Sequence, residues 1–558
     1  MDFITAVSEE IYEMIMAGMG RAISAGKLPN EPAPAFSVEI PADTSHGDFA
    51  VNAAMVSAKA FRLPPRKIAE ILCEELIFDG TKIERCEIAG PGFINLFVRD
   101  EWFCEIIQNV ISQGEDYGRS NFGMGKKVMI EFVSANPTGP MHIGNARGGA
   151  IGDSLAEVMA WSGYDVTREF YVNDAGNQII KLGASLEARY MQIFDGGFPF
   201  PEDGYHGDDI IELAGEFAEI HGDSYINSSE IDRRSALASY ALPKNIKKLE
   251  EDLLKYRIKY DVWFRESALH DNGEVERVID ILSSSGYTYE SDGALWFKAT
   301  EFGEAKDYVL VRSNRIPTYV VPDIAYHYNK FVTREFDIVI NVLGADHHGY
   351  VPCLKHAVEA LGVEGKKLDF VLMQMVRLIK DGEPIKASKR TGKSITLSTL
   401  LDEVPLDAAR FFFNLREANT HLDFDLTLAV EQSSKNPVYY VQYANARICK
   451  ILDRAECDYR SLTVQDLLIL HSPEEREVIR KIALFPREIS DARKSYDPSI
   501  LTRYCIELAS VFHKFYDKHR VICDDHAAMK ARLALCWALQ TTLKNALSIL
   551  KIETPDSM

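Results

Sequence analysis

The sequence predicts a multidomain α/β protein whose central part is a Rossmann-like, doubly wound parallel sheet. A continuous apolar run at 128–133, a helical pattern from about 146 to 162 and a strand-like run at 165–172 form one βαβ unit. Such a unit is the building block of a doubly wound sheet. Strand-like apolar runs then return further along the chain, at 308–311, 318–321, 336–344 and 370–376.

The chain has 558 residues, which predicts three or four domains. Residues 1–115 form an expected α+β N-terminal domain, because an amphipathic helical pattern at 1–24 precedes a short apolar strand at 90–98. A glycine-rich joint leads to a second domain at 122–425, which contains the βαβ unit and a polar, helical insertion at about 185–300. The tail at 430–558 has helical patterns throughout and predicts a separate all-α domain.

The composition is typical of a soluble globular protein, with 46% hydrophobic and 26% charged residues, and it excludes a disordered chain. No apolar stretch approaches the ~18 residues that a membrane span needs. The first residues, MDFITAVSEE, carry early acids and no basic leader. Nine cysteines without a CxxC pair favour neither a disulfide framework nor a structural zinc site. We therefore expect a cytoplasmic protein without a structural metal.

The net charge of −21 at first argues against a nucleic-acid partner, but the charge is unevenly distributed. Residues 1–430 carry a net −23, and residues 431–558 carry +2. An acidic body with a balanced, arginine-rich tail permits phosphate contact at chosen patches while it repels indiscriminate binding. The distribution is compatible with RNA binding and does not establish it.

The segment EFVSANPTGPMHIGN, residues 131–145, is the most informative in the chain. It follows a buried strand and opens a helix, where free backbone N–H groups and the helix dipole attract phosphate. Gly144 allows a ligand to approach the backbone, and His142 can donate to phosphate oxygens. The segment contains neither GxGxxG nor a P-loop, so it is a different solution to nucleotide binding. Taken alone, His142 is more simply explained as a helix-capping residue.

A second cluster, IKASKRTGK at 385–393, places three lysines and one arginine among small residues after the strand-like run at 370–376. Such a loop suits a clamp on a polyphosphate, in which lysine acts as a point charge. A lone basic run is usually a solvated loop. Paired with a phosphate-ready helix start on the same sheet, however, it fits the opposite wall of one nucleotide site.

HIGN and KASKR resemble the HIGH and KMSKS signatures of class I aminoacyl-tRNA synthetases, in the same order. Longer segments along the whole chain resemble the arginyl-tRNA synthetase family: EFVSANPTGPMHIGNARG, YVNDAGNQI, PTYVVPDIAYH, GADHHGYVP, THLDFDL, NPVYYVQYANARI and a C-terminus that closes on Met558. The resemblance implies an arginine–tRNA ligase. Such an enzyme activates L-arginine with ATP to arginyl-adenylate, releases pyrophosphate, and transfers arginine to the 3′-terminal adenosine of tRNA(Arg).

The same resemblance implies which residues meet ATP. His142 steadies the α-phosphate, and Lys386 and Lys389 stabilise the departing pyrophosphate. Asn145 replaces the second histidine of HIGH, and Ala387 replaces the methionine of KMSKS. ATP is expected to arrive with Mg2+ held mostly by phosphate oxygens. The full expected set is His142, Asn145, Lys386 and Lys389 for catalysis and Gly139, His142, Gly144, Asn145, Asp346, Met375, Val376, Lys386, Ser388 and Lys389 for ATP binding.

Arginine recognition requires carboxylates, because a guanidinium is a planar fork of five donors that always carries its charge. Glu131 and Asp323 match the acids of the family's arginine pocket. Tyr319 offers a hydroxyl and a ring face, and the remaining expected contacts are Ser134, Asn136 and His347. Taken alone, Glu131 is more simply explained as an ion pair at the end of a strand, and Tyr319 as a core aromatic residue. Within the full pattern of motifs, the ligand-binding interpretation is favoured.

The segment GADHHGY also permits a metal site, since Asp346, His347 and His348 are close in sequence. The two-histidine helical spacing and the cysteines of a zinc site are both missing, so a metal hydrolase is the least favoured hypothesis. A class I synthetase for another amino acid, a nucleotidylyltransferase and a tRNA-binding paralogue without activity are also compatible with parts of the pattern. The paired acids oppose the first two, and the intact His142 and Lys389 oppose the third.

For tRNA, the resemblance makes the helical tail an anticodon-binding domain and the N-terminal domain a reader of the outer corner of tRNA. Phe93 and Asn95 match positions that stack on and hydrogen-bond a D-loop base, as single-stranded RNA is usually read. The family resemblance further implies a monomer, a requirement for tRNA during activation, and neither DNA nor a membrane as a partner.

Overall fold

The computed structural model describes residues 2–41, 43–385 and 395–558. The N-terminal part is a four-stranded antiparallel sheet, in the order β1-β2-β4-β3, packed with helices. The first helix buries a face formed by Phe3, Val7, Ile11 and Ile15, as its periodicity predicts. The elements are α1 (Phe3–Ser24), β1 (Val38–Glu39), β2 (Phe49–Val51), α2 (Ala53–Phe61), α3 (Pro65–Glu75), β3 (Ile83–Ala89), β4 (Phe93–Val98) and α4 (Asp100–Gln113).

The central sheet has five parallel strands in the order β12-β11-β5-β6-β7. The chain winds outward on one side from β5 and then returns to build the other side from β11, so the strand order reverses between β5 and β11. The doubly wound fold predicted from the sequence is confirmed. The strands are β5 (Lys127–Glu131), β6 (Asp165–Val172), β7 (Val262–Arg265), β11 (Ile338–Gly344) and β12 (Leu368–Met373), with α5 (Ile143–Trp161) between β5 and β6.

The region expected as a helical insertion is all-helical only as far as Lys255, and beyond it strands and helices alternate. Its end supplies β7, the edge strand of the central sheet, and the first two strands of a small antiparallel sheet. The run at 308–311 belongs to that small sheet instead of the central one. The elements are α6 (Asn177–Phe194), α7 (Asp208–His221), α8 (Glu230–Lys255), α9 (Glu266–Asp271), α10 (Glu274–Ser284), β8 (Thr288–Ser291), β9 (Ala294–Phe297) and β10 (Tyr308–Val311).

The strand predicted at 318–321 is wrong, because a helix begins at Val320. A short apolar run does not distinguish a buried strand from a buried helix, and Val320, Val321, Ile324 and Ala325 are all buried. The helix continues into a π-helical turn at Asn329–Thr333. The remaining elements of this part are α11 (Val320–Tyr328), α12 (Val351–Ala360), β13 (Val376–Lys380), β14 (Glu383–Pro384), α13 (Leu397–Glu403), α14 (Leu406–Phe413), β15 (Leu422–Asp425) and α15 (Leu426–Val430).

The C-terminal part is helical, as predicted, and it packs against both other parts of the molecule. Its helices are α16 (Pro437–Leu452), α17 (Val464–Leu467), α18 (Pro473–Ser495), α19 (Ser499–Lys518) and α20 (His526–Ile549). One continuous apolar core includes residues of α1, α5 and α20. The fully buried Arg410 donates to the Leu550 carbonyl at 2.9 Å and to Asp153 Oδ2 at 2.6 Å, and so joins the end of α20 to α5.

A second core lies on the other face of the central sheet, between the sheet and helices α11 and α12. Met129 on β5 and Val339 on β11 point into it, whereas Val128 and Ile130 point toward α5. Because side chains alternate along a strand, Glu131 faces the α11 side with Met129. Among the helices of the described residues, none combines the length and apolarity that crossing a bilayer requires.

Candidate active site

The candidate site lies where β5 and β11 end side by side at the reversal of strand order, which is where doubly wound sheets bind ligands. Glu131 at the end of β5 is the direct register partner of Asn341 on β11. The loop that follows begins with Val133 and Ser134 at positive φ, 68° and 42°. Two consecutive residues in this region, one of them β-branched, store backbone strain of a kind that clusters at functional sites.

Glu131 is buried and both of its carboxylate oxygens are engaged. Ser134 Oγ donates to Oε1 at 2.9 Å, and the ammonium of Lys330 donates to Oε2 at 2.6 Å. Ser134 Oγ also accepts from the Tyr171 N–H at 3.2 Å. The two residues predicted from the sequence are therefore in contact, and the buried cation beside them was missed.

Asp323 projects from the first turn of α11 and accepts a hydrogen bond from the Tyr350 hydroxyl, at 2.8 Å from Oδ2. The pKa of Asp323 is raised to about 7, and loss of solvent around the carboxyl is the largest cause. The neighbouring Glu131 and Glu266 carboxylates also contribute to this rise, whereas Tyr350 and Lys330 oppose it. No cation pairs with Asp323 within the described part of the chain. A partly buried acid of this kind is suited to a cationic ligand.

A chain of hydrogen bonds connects the two acids beneath the site. Lys330 Nζ donates to Asn341 Oδ1 at 3.1 Å, and Asn341 Nδ2 lies 2.7 Å from His327 Nε2. His327 Nδ1 lies 2.8 Å from the carbonyl oxygen of Asp323. Burial and the nearby Lys330 cation hold the pKa of His327 well below its usual range, so the ring is neutral.

On the phosphate side, His142 is the N-cap of α5. Its Nδ1 accepts from the Gly144 N–H at 3.0 Å, while the backbone N–H of His142 donates to Asn145 Oδ1 at 3.1 Å. This is a capping box, and it explains why an amide can stand where the signature has a histidine. The bond at Nδ1 leaves Nε2 to carry the proton of the neutral ring, and partial desolvation lowers the pKa of His142.

Gly144 is required by the same arrangement, since a Cβ there would lie 2.9 Å from the His142 ring. Gly139 lies in the preceding turn and lines a cleft with residues of α7 and α8, among them Asp209 and Lys244. Asn245 of α8 donates to the Pro137 carbonyl at 2.9 Å and so holds this turn against the insertion. The predicted capping role of His142 is confirmed; its contact with phosphate stays a prediction.

Met375 and Val376 open β13, and the Met375 side chain is 79% exposed. The backbone beside them is held by Arg147, whose fully buried guanidinium donates to the carbonyl oxygens of Gln374 at 2.7 Å and Thr420 at 2.9 Å. Arg147 lies two residues after Asn145 on α5. One side chain therefore connects the helix that begins at the HIGN segment to the segment expected to meet adenine.

Lys386, Ser388 and Lys389, predicted to meet the pyrophosphate, lie outside the described residues. The chain that follows them is described, and Thr396 forms an antiparallel bridge with His142. The Leu397 N–H donates to the Met141 carbonyl at 2.8 Å. The chain a few residues after the KASKR segment is thus tied to the HIGN segment, which supports a shared nucleotide site.

Asp346 and His347 are exposed at the end of β11, where Asp346 Oδ2 lies 3.9 Å from His347 Nε2. Across the residues that the structure describes, no group of three potential metal ligands is brought together. Tyr319 is 73% exposed at the start of α11, and its ring centroid lies 6.0 Å from that of Tyr350. Asn136 is half-buried in the strained loop. These residues border the acids without contacting them.

Phe93 and Asn95 lie on the same face of β4, far in sequence from the sheet ends described above. Asn95 is buried between Ala50 and Glu87 on the neighbouring strands, and Phe93 is half-buried. On the same face, the Arg85 guanidinium lies 3.5 Å from the centroid of the Phe97 ring. The face offers an aromatic surface with adjacent polar groups.

Sequence reasoning missed Lys330, His327, Tyr350 and Arg147. A signal existed for two of them, because Asp323, His327 and Lys330 follow one another at spacings of four and three residues in an otherwise apolar segment. That spacing places all three on one helical face, where a buried polar stripe indicates a network. Arg147 gave no comparable signal, since its partners are backbone carbonyls distant in sequence.

Comparison with known families agrees with this geometry. Residues 106–199 and 227–447 match the catalytic-domain model described as "tRNA synthetases class I (R)", and residues 5–98 match the arginyl tRNA synthetase N-terminal domain. Residues 441–558 match the DALR anticodon binding domain. The fold and these matches define a class I aminoacyl-tRNA synthetase.

Relatives give the amino acid. The chain is 53% identical to the arginine–tRNA ligase of Caldanaerobacter subterraneus and 48% identical to that of Acetivibrio thermocellus, each over at least 99% of both chains. The structure of the Thermus thermophilus arginyl-tRNA synthetase has the same fold, with a TM-score of 0.75 at 20% identity, over 99% of this chain and 100% of that one. The chain belongs to the arginyl-tRNA synthetase family, and it is an ATP-dependent ligase that charges tRNA with arginine.

Proposed function

We propose that the guanidinium of arginine binds between Glu131 and Asp323, at the reversal point of the central sheet. The partly buried Asp323, which has a raised pKa and no cationic partner among the described residues, carries this proposal. Tyr319 and Tyr350 border the guanidinium. Ser134, Asn136 and His347 hold the α-amino and carboxylate groups of the substrate, so that its carboxylate is directed toward ATP.

ATP binds on the neighbouring side of the switch point, with adenine against the backbone at Met375 and Val376. His142, Gly139 and Gly144 meet the phosphates at the start of α5, where its dipole and free N–H groups favour negative charge. His142 donates from Nε2, because Nδ1 is occupied by the Gly144 N–H. Asn145 acts mainly through the cap that orients His142. Asp346 contacts the ribose.

Lys386, Ser388 and Lys389 act on the departing pyrophosphate. The bridge between His142 and Thr396 supports this placement, since it ties one end of their segment to the start of α5. The arginine carboxylate attacks the α-phosphorus, the bond to the β-phosphate oxygen breaks, and the lysines neutralise the charge that accumulates on pyrophosphate. Mg2+ enters with ATP and is held largely by phosphate oxygens.

The division of labour follows the expected domains: residues 1–115 contact the D-loop through Phe93 and Asn95, residues 122–425 catalyse, and residues 430–558 bind the anticodon. The enzyme acts as a cytoplasmic monomer and requires tRNA(Arg) for the activation step. Arg410 supports the coupling, because it joins α20 of the C-terminal part to α5 of the catalytic part. Binding of tRNA then orders the site before activation.

ATP–pyrophosphate exchange with arginine, with and without tRNA(Arg), tests this proposal. We expect exchange only when tRNA is present, and Lys389→Ala should lower its rate at least a hundredfold while tRNA affinity changes less than threefold. Equal rates without tRNA would contradict the tRNA requirement. Equal losses of exchange and tRNA binding in Lys389→Ala would contradict the assignment of Lys389.

A further inference from the structure

Lys330 is a buried ammonium directly beneath the proposed arginine pocket. Its side chain has no solvent exposure, and its Nζ lies 3.9 Å from the centroid of the Tyr326 ring. A buried cation is costly unless charges and hydrogen bonds compensate it. Lys330 has both, since it donates to Glu131 Oε2 at 2.6 Å and to Asn341 Oδ1 at 3.1 Å. The two acceptors are register partners on β5 and β11, so one ammonium connects the two strands where the strand order reverses.

The relay continues from Asn341 to Asp323 with a fixed direction. A backbone carbonyl only accepts, so the 2.8 Å contact with the Asp323 oxygen requires the proton on His327 Nδ1. His327 Nε2 must then accept from Asn341 Nδ2, whose amide oxygen accepts from Lys330. Each contact in the relay therefore pairs one donor with one acceptor. The relay joins the carboxylate of Glu131 to the backbone of the helical turn that carries Asp323.

We propose that Lys330 is a positioning residue for arginine selection, acting through Glu131 and the relay. Ser134 on one oxygen and Lys330 on the other fix the orientation of the Glu131 carboxylate, and the ammonium supplies its counter-charge. Glu131, Asp323 and Lys330 together leave one net negative charge, which complements one guanidinium. Lys330 thus sets both the geometry and the charge of the pocket without touching the substrate. This inference rests on the arginine pocket proposed above.

A double-mutant cycle between Lys330→Met and Glu131→Gln tests the proposal, with arginine and ATP KM measured in tRNA aminoacylation. Methionine keeps the length of the side chain and removes its charge. Each single variant is expected to raise the arginine KM at least tenfold and to change the ATP KM less than twofold. The arginine KM of the double variant is expected to be no higher than that of the worse single variant, because Lys330 and Glu131 act as one unit.

The pH profile of the Lys330→Met variant separates positioning from simple packing. A buried carboxylate that has lost its cationic partner takes up a proton more readily, so the arginine kcat/KM of the variant, relative to wild type, is expected to recover at least fivefold between pH 7 and pH 9. A packing defect would give a ratio independent of pH. Of the other groups near Glu131, Asp323 titrates in this range in both proteins, whereas burial raises the pKa values of Tyr171, Tyr260 and Tyr326 above it.

Arg334→Met is the matched control, because Arg334 lies four residues further on and pairs with Glu169 instead. It removes a partly buried cation from the same segment and should leave the arginine KM within threefold of wild type. If Lys330→Met does not fold, Asn341→Ala keeps every charge, breaks the relay, and is expected to raise the arginine KM three- to tenfold.

An unchanged arginine KM in Lys330→Met would overturn the positioning role. If Lys330→Met does not fold, an unchanged arginine KM in Asn341→Ala would overturn it instead. The role would also be overturned if the increase in arginine KM in the double variant equalled the product of the two single increases. An unchanged arginine KM in Glu131→Gln would instead overturn the pocket itself. The two failures are therefore distinguishable.

Discussion

Two buried glutamates on neighbouring strands, Glu131 and Glu169, are paired in different ways, and the difference bears on the proposed arginine pocket. Glu131 on β5 and Glu169 on β6 are register partners, and each pairs with a cation from the segment that follows α11. Glu169 is paired with Arg334, whose two terminal nitrogens reach both carboxylate oxygens, and it also accepts from the Tyr326 hydroxyl. Glu131 is paired with Lys330 through one oxygen.

The chemistry of the two cations explains the difference. A guanidinium is a planar fork that saturates a carboxylate in bidentate fashion, whereas an ammonium is a point donor that leaves lone pairs free. Both oxygens of Glu169 are thus occupied by an arginine of the chain itself, whereas the single-point contact of Lys330 leaves lone pairs of Glu131 for the guanidinium of the proposed substrate. Asp323 also lies beside Glu131 and has no cation among the described residues, so its carboxylate would complete the proposed pocket.

The largest expected effect is that of Asp323→Asn, which removes the carboxylate charge beside Glu131 and keeps the shape of the side chain. We expect the arginine KM to rise a hundred- to a thousandfold, or about 3–4 kcal/mol, because a charged hydrogen-bonded pair in a desolvated site is lost. The ATP KM should stay within twofold. Steady-state aminoacylation at varied arginine measures both, and an arginine KM within threefold of wild type would contradict the pocket.

Glu169→Gln is expected to act on stability instead. It leaves the Arg334 guanidinium without its carboxylate, and because Arg334 is partly exposed we expect a loss of about 2–3 kcal/mol. Denaturant unfolding followed by circular dichroism measures this loss, with multidomain behaviour checked by a second probe. The arginine KM of the folded variant should not change; a tenfold rise would end the distinction between the two glutamates.

The sequence predicts the strands that carry Glu131 and Glu169 better than it predicts the cations that pair with these two residues. The run at 165–172 matches β6 to the residue, because its β-branched and aromatic residues favour a strand although charged residues interrupt it. The two acids at 131 and 323 were found through the family resemblance. Lys330 and Arg334 were not predicted, because a lysine or arginine in sequence is usually exposed, and only the tertiary fold shows that Lys330 is fully buried and Arg334 partly buried. The strand predicted at 318–321 was wrong for a different reason. The apolar run there begins α11, which is buried on all sides, and a short apolar run of this kind does not distinguish a buried helix from a buried strand.

The pH dependence of the arginine kcat/KM is expected to report on the proposed Glu131–Asp323 pocket and not on the Glu169–Arg334 pair. The pKa of Asp323 is raised to about 7, so in the free enzyme this carboxyl gains a proton as the pH falls through 7. Guanidinium binding requires the ionised form, and the arginine kcat/KM should therefore fall about tenfold between pH 8 and pH 6. The ATP KM is the internal control. If the arginine kcat/KM is independent of pH between pH 6 and pH 8 in the wild type, as in Asp323→Asn, then Asp323 does not titrate in this range.

Tyr326 gives the smallest and sharpest test, because its two ends serve the two glutamates differently. Its hydroxyl donates to Glu169, and its ring face lies beside the Lys330 ammonium. Tyr326→Phe removes only the hydroxyl, so we expect a stability loss of about 1 kcal/mol from the weakened Glu169 cluster. The ring face remains, and the arginine KM should stay within twofold of wild type. A rise of fivefold or more without loss of stability would mean that the hydroxyl acts on the Glu131 side, and that the two glutamates form one network.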